Sequence, residues 1–451
     1  MSYTTHAISQ LQKTLAPSVY GPLDLDIQPE RFRTELGSNS TVRDNPRIQA
    51  LLADASKVEL FRQLTLMGDP LADAFAALIP SLGYPKARAM LDQAAAHGVA
   101  TVPDAPPELV RLMESVEQEP AWVDWDKIEY AAENARLVTA MAGEAIIRVA
   151  FMMTYVNGYQ GLPMVITGAL TSDSAAKRMK ETISTFKMAA LPGALRKGGV
   201  AYQSAVKVRV MHAMVRTSLL KRPQQWDYQV YGVPIPQVDQ MGAALGFNFM
   251  ISLYALKNGG RFSKPMAAAV EQARYLAHLL GMHDQFLSND PKQIVETWQL
   301  CQATLRHKFD PRGKDLNGAT LNAYRRRGNG WYDRLVHHLD VHSTRFMYSR
   351  MVGRNTASTM GVDVSTSDVL EFATQFAPIG LGFGALALLK KLPGGREFVD
   401  NYCIREIERQ LASEGTAEYR TNERDYKSDV GNSGIGRSEN GRTENSRPDA
   451  A

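Results

Sequence analysis

The chain has 451 residues, 44% of them hydrophobic and 22% charged, which suffices for one large or two ordinary domains with a substantial core. Its 51 Lys and Arg are nearly matched by 47 Asp and Glu, giving a formal net charge of +4. No long basic run occurs, so composition argues against nucleic acid as a partner. Cys301 and Cys403 are too few for a structural zinc site of their own and too far apart for a redox pair, and they read as reduced, buried small hydrophobes.

The amino terminus, MSYTTHAISQLQKTLAPS, has no basic cap followed by an apolar run. No secretory signal is read there, and a cytoplasmic location is the expectation. Residues 1–47 mix polar residues with Pro17, Pro22, Pro29 and Pro46 and read as a polar, poorly structured N-terminal arm. From Ile48 the character changes. RIQALLADASKVELFRQLTLM and PLADAFAALIPSLGYPKARAMLDQAAAHG carry apolar residues at three- and four-residue spacing, broken by proline and glycine. Asp104 and Pro106 then predict a helix start before Leu109, and Trp122 and Trp125 are expected to dock on the body.

The apolar stretch 137–170 contains Glu144, Arg148, Asn157 and Gln160, a poor composition for a membrane span. Thr171 or Ser172 can cap the next helix, which runs to about Ala190 and places Arg178 and Thr182 one turn apart beside Glu181. Taken alone, these three read as an ordinary surface Arg–Glu pair with a neighbour.

After a Pro-Gly-Gly-rich turn comes VKVRVMHAMVR, with His212 between Arg209 and Arg216. The spacing i−3, i, i+4 puts the three on one helical face. Ala205, Val208, Val215 and Leu219 lie on that side, and Val206, Val210 and Met214 on the other. A helix apolar all round belongs in the interior, where an imidazole and two guanidiniums each need a partner. Haem would supply all three, iron for the ring nitrogen and propionates for the arginines. Hydrogen-bonded protein groups would serve as well, and the spacing alone leaves both readings open.

Gln237 to Leu256 is again helical in period, followed by two helices joined at Gly281. His278 and His283 do not share a helical face, which argues against a two-histidine metal site there. His338 and His342 are i,i+4 and could clamp a metal, but H-x-x-x-H without the glutamate of H-E-x-x-H is a weak motif. The segment from Phe376 to Leu389 is uncharged and precedes Lys390 and Lys391; core packing is expected of it, with peripheral membrane contact as the alternative. From Ser413 the chain turns to Ser, Gly, Asn, Glu and Arg, and 413–451 reads as a disordered tail. No period-2 run is long enough to build a sheet, so the body, 48–412, is expected to be all-α.

The order of these parts resembles the rubber oxygenase family, whose members include bacterial latex clearing proteins and, more distantly, the haem oxygenase of mycophenolic acid biosynthesis. Arg178 and Thr182 match an Arg-x-x-Lys-Thr element on the distal side of the haem. His212, thirty residues after Thr182, falls where the family has its proximal ligand, with Arg209 and Arg216 at conserved offsets. ARYLAHLLGMHDQFLSND is similar to the family's later helix pair, and the likeness covers roughly residues 100–390. It implies a globin-like, all-α core holding one haem b, with His212 on the iron, Arg209 and Arg216 on the propionates, and Arg178, Glu181 and Thr182 as distal catalytic residues. The implied reaction is dioxygen-dependent cleavage of a carbon–carbon double bond in an isoprenoid or other lipophilic substrate.

Two departures stand out. Glu181 occupies the position of the family's distal lysine, and the region of the family's general base, near Leu162, carries no acid, Glu144 being the nearest. Alternatives from other classes are a peroxidase-like or sensor haem protein and a cofactor-free helical scaffold at a membrane surface.

Overall fold

A computed structural model describes residues 5–36, 45–168, 172–323 and 330–414. Among them the regular structure is helical, apart from an isolated bridge between Phe32 and Leu305, as the sequence periodicity predicts. The chain begins with α1 (Thr5–Leu15), α2 (Pro17–Tyr20), α3 (Pro46–Ala53), α4 (Ala55–Thr65), α5 (Pro70–Leu82), α6 (Tyr84–His97) and α7 (Pro107–Glu117). Its middle forms α8 (Trp125–Met153), α9 (Gly158–Ile166), α10 (Ser172–Met188), α11 (Val200–Leu220), α12 (Tyr228–Tyr231), α13 (Gln237–Lys257), α14 (Lys264–Leu279) and α15 (Pro291–Thr304). α16 (Arg312–Asn322), α17 (Trp331–Val352), α18 (Arg354–Thr359), α19 (Thr366–Leu389) and α20 (Gly395–Glu414) follow.

Helix boundaries follow local chemistry. Asp54 interrupts one apolar run because its side chain accepts from the Lys57 amide and caps α4. Gly83, at φ +81°, separates α5 from α6. The largest core gathers Phe75, Leu109, Met113, Tyr202, Ala205 and Leu279 from α5, α7, α11 and α14. A second joins α1, α4, α13 and α15 through Ile8, Phe61, Met241 and Leu300. A third packs α8 against α16 and α17. Trp122 and Trp125 dock edge-on against Tyr275, and Arg274 lies 3.7 Å over the Trp122 ring. Cys301 and Cys403 are free and buried.

Two expectations are corrected. The N-terminal arm is not poorly structured where it is described: Ile8, Gln12, Tyr20 and Arg31 are buried. Arg31 forms a two-pronged ion pair with Asp239 at 2.6 and 2.9 Å. Of the four prolines that suggested irregular chain, Pro17 and Pro46 instead open α2 and α3, where a missing N–H leaves no gap. The second correction concerns Phe376–Leu389, expected in the core. It belongs to α19, whose 24 residues are apolar enough to cross a membrane by length and composition, and none of its most apolar stretch is buried. Leu370, Leu381 and Leu388 are exposed, because α19 packs mainly against α17, α8 and α20 along one side and, among the described residues, its other side is left largely open.

The stretch 137–170 is not one rod, since α8 and α9 meet at 102°. Inside α8 the buried Arg148 pairs with Asp340 of α17 and, at 3.1 Å, with Glu144. Residues 415–451, nearly all of the expected tail, and the candidate cap Thr171 lie outside the described residues.

Candidate active site

α11 is buried along most of its length because it is apolar on every side. His212 is half-buried on it. α10 and α11 pack as a hairpin through the 189–199 turn, with Thr185 Oγ1 2.9 Å from Ser204 Oγ. On α10, Glu181 is 6% exposed and Thr182 half-buried. The Arg178 side chain lies outside the described residues. His212 on α11 and Glu181 and Thr182 on α10 thus lie on two helices that touch each other.

The wall beside them is apolar. Leu162 and Ile166 of α9 pack with Val215 and Leu219 of α11, and Met211 joins the same cluster. Position 162, where the resemblance leads one to look for a base, is therefore a buried hydrocarbon contact. Glu144 lies on α8, its side chain 45% exposed, paired with Arg148 and 3.9 Å from the fully buried Lys187 of α10. That places it in a salt-bridge cluster.

The two arginines are engaged elsewhere. Arg209 donates from Nε and Nη2 to Asp69 at 2.5 and 2.9 Å, and from Nη1 to Ser115 Oγ at 3.1 Å. Arg216 donates from Nη1 to Asp73 at 2.5 Å, and from Nε and Nη2 to the carbonyls of Pro234 and Ile235. Asp73 also accepts from Tyr20 Oη at 2.5 Å and from the Asp69 amide. Burial, opposed by Arg216, pushes the Asp73 carboxyl above the ordinary carboxylate range, and burial with the Asp73 charge lifts the Tyr20 phenol well above its usual value. Two glycines make this network possible. A Cβ on Gly68 would stand 2.1 Å from Tyr20 Oη, and one on Gly281, at φ +78°, would stand 2.3 Å from Asp69 Oδ2.

These contacts test the donor set that haem requires. A half-buried imidazole on a helix with apolar neighbours fits a residue that would hold haem iron, with Glu181 and Thr182 as polar groups on the adjoining helix. Arg209 and Arg216 do not fit the propionates, which corrects that expectation: all three nitrogens of each guanidinium are already bonded inside the protein. Asp69 and Asp73 were missed because they lie about 140 positions away in sequence. The available signal was Asp73 in the otherwise apolar PLADAFAALIP helix and Asp69 just before it, two acids beside an apolar run, each needing a partner if buried. Two pockets elsewhere, one lined by Met241, Leu245 and Trp298 and one by Phe75, Leu91 and Met214, are water-sized.

Comparison with known proteins adds an independent line. The family model described as ER-bound oxygenase mpaB/B'/Rubber oxygenase, catalytic domain, matches residues 134–379. No curated protein matches. Among solved structures, latex clearing protein LCP in the closed state is similar in fold, with a TM-score of 0.55 and 20% sequence identity over 78% of this chain and 91% of that one.

Proposed function

The chain belongs to the ER-bound oxygenase mpaB/B'/rubber oxygenase catalytic-domain family, and on that premise we propose that it is a haem b-dependent oxygenase that cleaves a carbon–carbon double bond of an isoprenoid or other lipophilic substrate. The observation that supports this reading is the contact between α10, which carries Arg178, Glu181 and Thr182, and α11, which carries His212 beside the apolar cluster of Met211, Val215 and Leu219.

In this reading His212 is the protein ligand to the iron. Haem, when bound, supplies the chemistry that activates dioxygen. The chain supplies the surroundings: Leu162, Ile166 and Val215 exclude water and favour an apolar substrate. The Thr182 hydroxyl donates a hydrogen bond to developing negative charge. Glu181, which stands where the family pattern has a lysine, supplies a carboxyl as the proton-handling group that position 162 lacks. Arg209 and Arg216 act at one remove, by fixing α11 to α5 through Asp69 and Asp73. Residues 48–412 form the catalytic domain, with the packed arm closing the Asp73 network. α19, followed by Lys390 and Lys391, rests on the cytoplasmic surface of a membrane, the source of a lipophilic substrate.

Expression with haem supply is expected to yield protein with a Soret band that His212→Ala abolishes; an unchanged spectrum in the variant would overturn the ligand assignment. Incubation of the holoprotein with a polyprenyl substrate and dioxygen is expected to give carbonyl products. Peroxide turnover without such products would point to the peroxidase-like alternative.

A further inference from the structure

Away from the α10–α11 hairpin, α17 and α19 bring four metal-ligating side chains together. His338 and His342 stand one turn apart on α17, and Asp368 and Glu371 one turn apart on α19. His338 Nε2 is 3.1 Å and His342 Nδ1 3.6 Å from Glu371 Oε2. Ligand atoms of His338, His342 and Glu371 all lie within 4.8 Å of one another. A tetrahedral site with metal–ligand bonds of about 2.0–2.2 Å has neighbouring ligand atoms about 3.3–3.6 Å apart. Two of the required edges are therefore close to their final length before any side chain moves.

The surroundings support the same use. Asp368 is 1% exposed; its Oδ1 is 2.5 Å from His342 Nδ1, and its Oδ2 is held by the Ser365 hydroxyl. That carboxylate holds the His342 ring and is itself anchored by the capping box that starts α19. Two imidazoles with one or two carboxylates suit zinc and its first-row neighbours, whereas magnesium and calcium prefer oxygen alone.

We propose that His338, His342 and Glu371 bind a divalent cation of the zinc class, with Asp368 holding the His342 ring, so that the metal clamps the exposed apolar helix α19 to α17. The site lies on different helices from His212, and the proposal stands whether or not the chain binds haem.

The test uses the full-length protein, stripped with a chelator and titrated with zinc chloride by calorimetry, with thermal melting alongside. The expected result is one tight equivalent of zinc and a zinc-dependent rise in Tm. His338→Ala and Glu371→Gln each weaken binding at least about tenfold and abolish the Tm rise, while His212→Ala retains both. His338 has a side chain 56% exposed, so its replacement should leave the helical circular dichroism intact. Unchanged zinc affinity in a His338→Ala/Glu371→Gln double variant would overturn the proposal. So would the absence of zinc binding by the unmodified chain, which would leave a histidine–carboxylate hydrogen-bonded cluster and nothing more.

Discussion

Arg216 shows how burial decides what a charged residue is for. Its side chain is fully buried, and so is that of its partner Asp73. Removing one member of a buried pair leaves the other charge uncompensated, at about 3–5 kcal/mol. Asp73→Asn keeps the shape and an acceptor for Tyr20 but strands the guanidinium. A stability loss of that order is expected in urea unfolding, and a loss below about 1 kcal/mol would show that Arg216 finds other compensation. An outward, ligand-seeking Arg216 predicts the opposite, since its loss would then spare the apoprotein and weaken only cofactor retention.

At the scale of elements, α11 and α19 are both apolar helices, yet they end in opposite environments. α11 is surrounded because α5, α6, α10 and α14 all pack on it. α19 is supported along one side, leaving Leu381 and Leu388 at 77% and 64% exposure. An exposed apolar stripe followed by Lys390 and Lys391 matches an anionic bilayer surface, where hydrocarbon is buried and the lysines meet lipid headgroups. Co-sedimentation with vesicles containing phosphatidylserine is expected for the unmodified chain, with at least about tenfold weaker partitioning for Leu381→Glu/Leu388→Glu, since charge at the acyl boundary opposes insertion. Equal partitioning of the two proteins would remove the membrane role of this face. Neither substitution faces the core, so helical content should not change.

Over the whole molecule, α8 is the spine. α10, α14, α17, α19 and α20 all contact it, and two buried arginines tie its later neighbours down, Arg136 to Asp400 of α20 at 2.5 Å and Arg148 to Asp340 of α17. Arg148→Met leaves Asp340, itself 7% exposed, buried without its cation. Hydrogen exchange of the variant is expected to show α17 and α19 opening well below the global unfolding free energy, with α5, α7 and α11 still protected. Uniform acceleration across all helices would mean that the chain opens as one unit instead.

Periodicity alone determined that this chain is helical. The offsets of His212 from Arg178 and Thr182 are local as well, but they pointed to a site only through the resemblance to the rubber oxygenase family. Contacts between distant segments are not local, and tertiary structure decided those. It bound Arg209 and Arg216 to Asp69 and Asp73, folded a proline-rich arm over the same network, and turned the Phe376–Leu389 stripe outward. It also raised His338 and His342 from a weak i,i+4 motif to one half of a four-residue cluster, since Asp368 and Glu371 reach them only when α19 lies along α17. The physical reason is the same throughout: a sequence states which groups need partners, and only the packing of helices states which partners they meet.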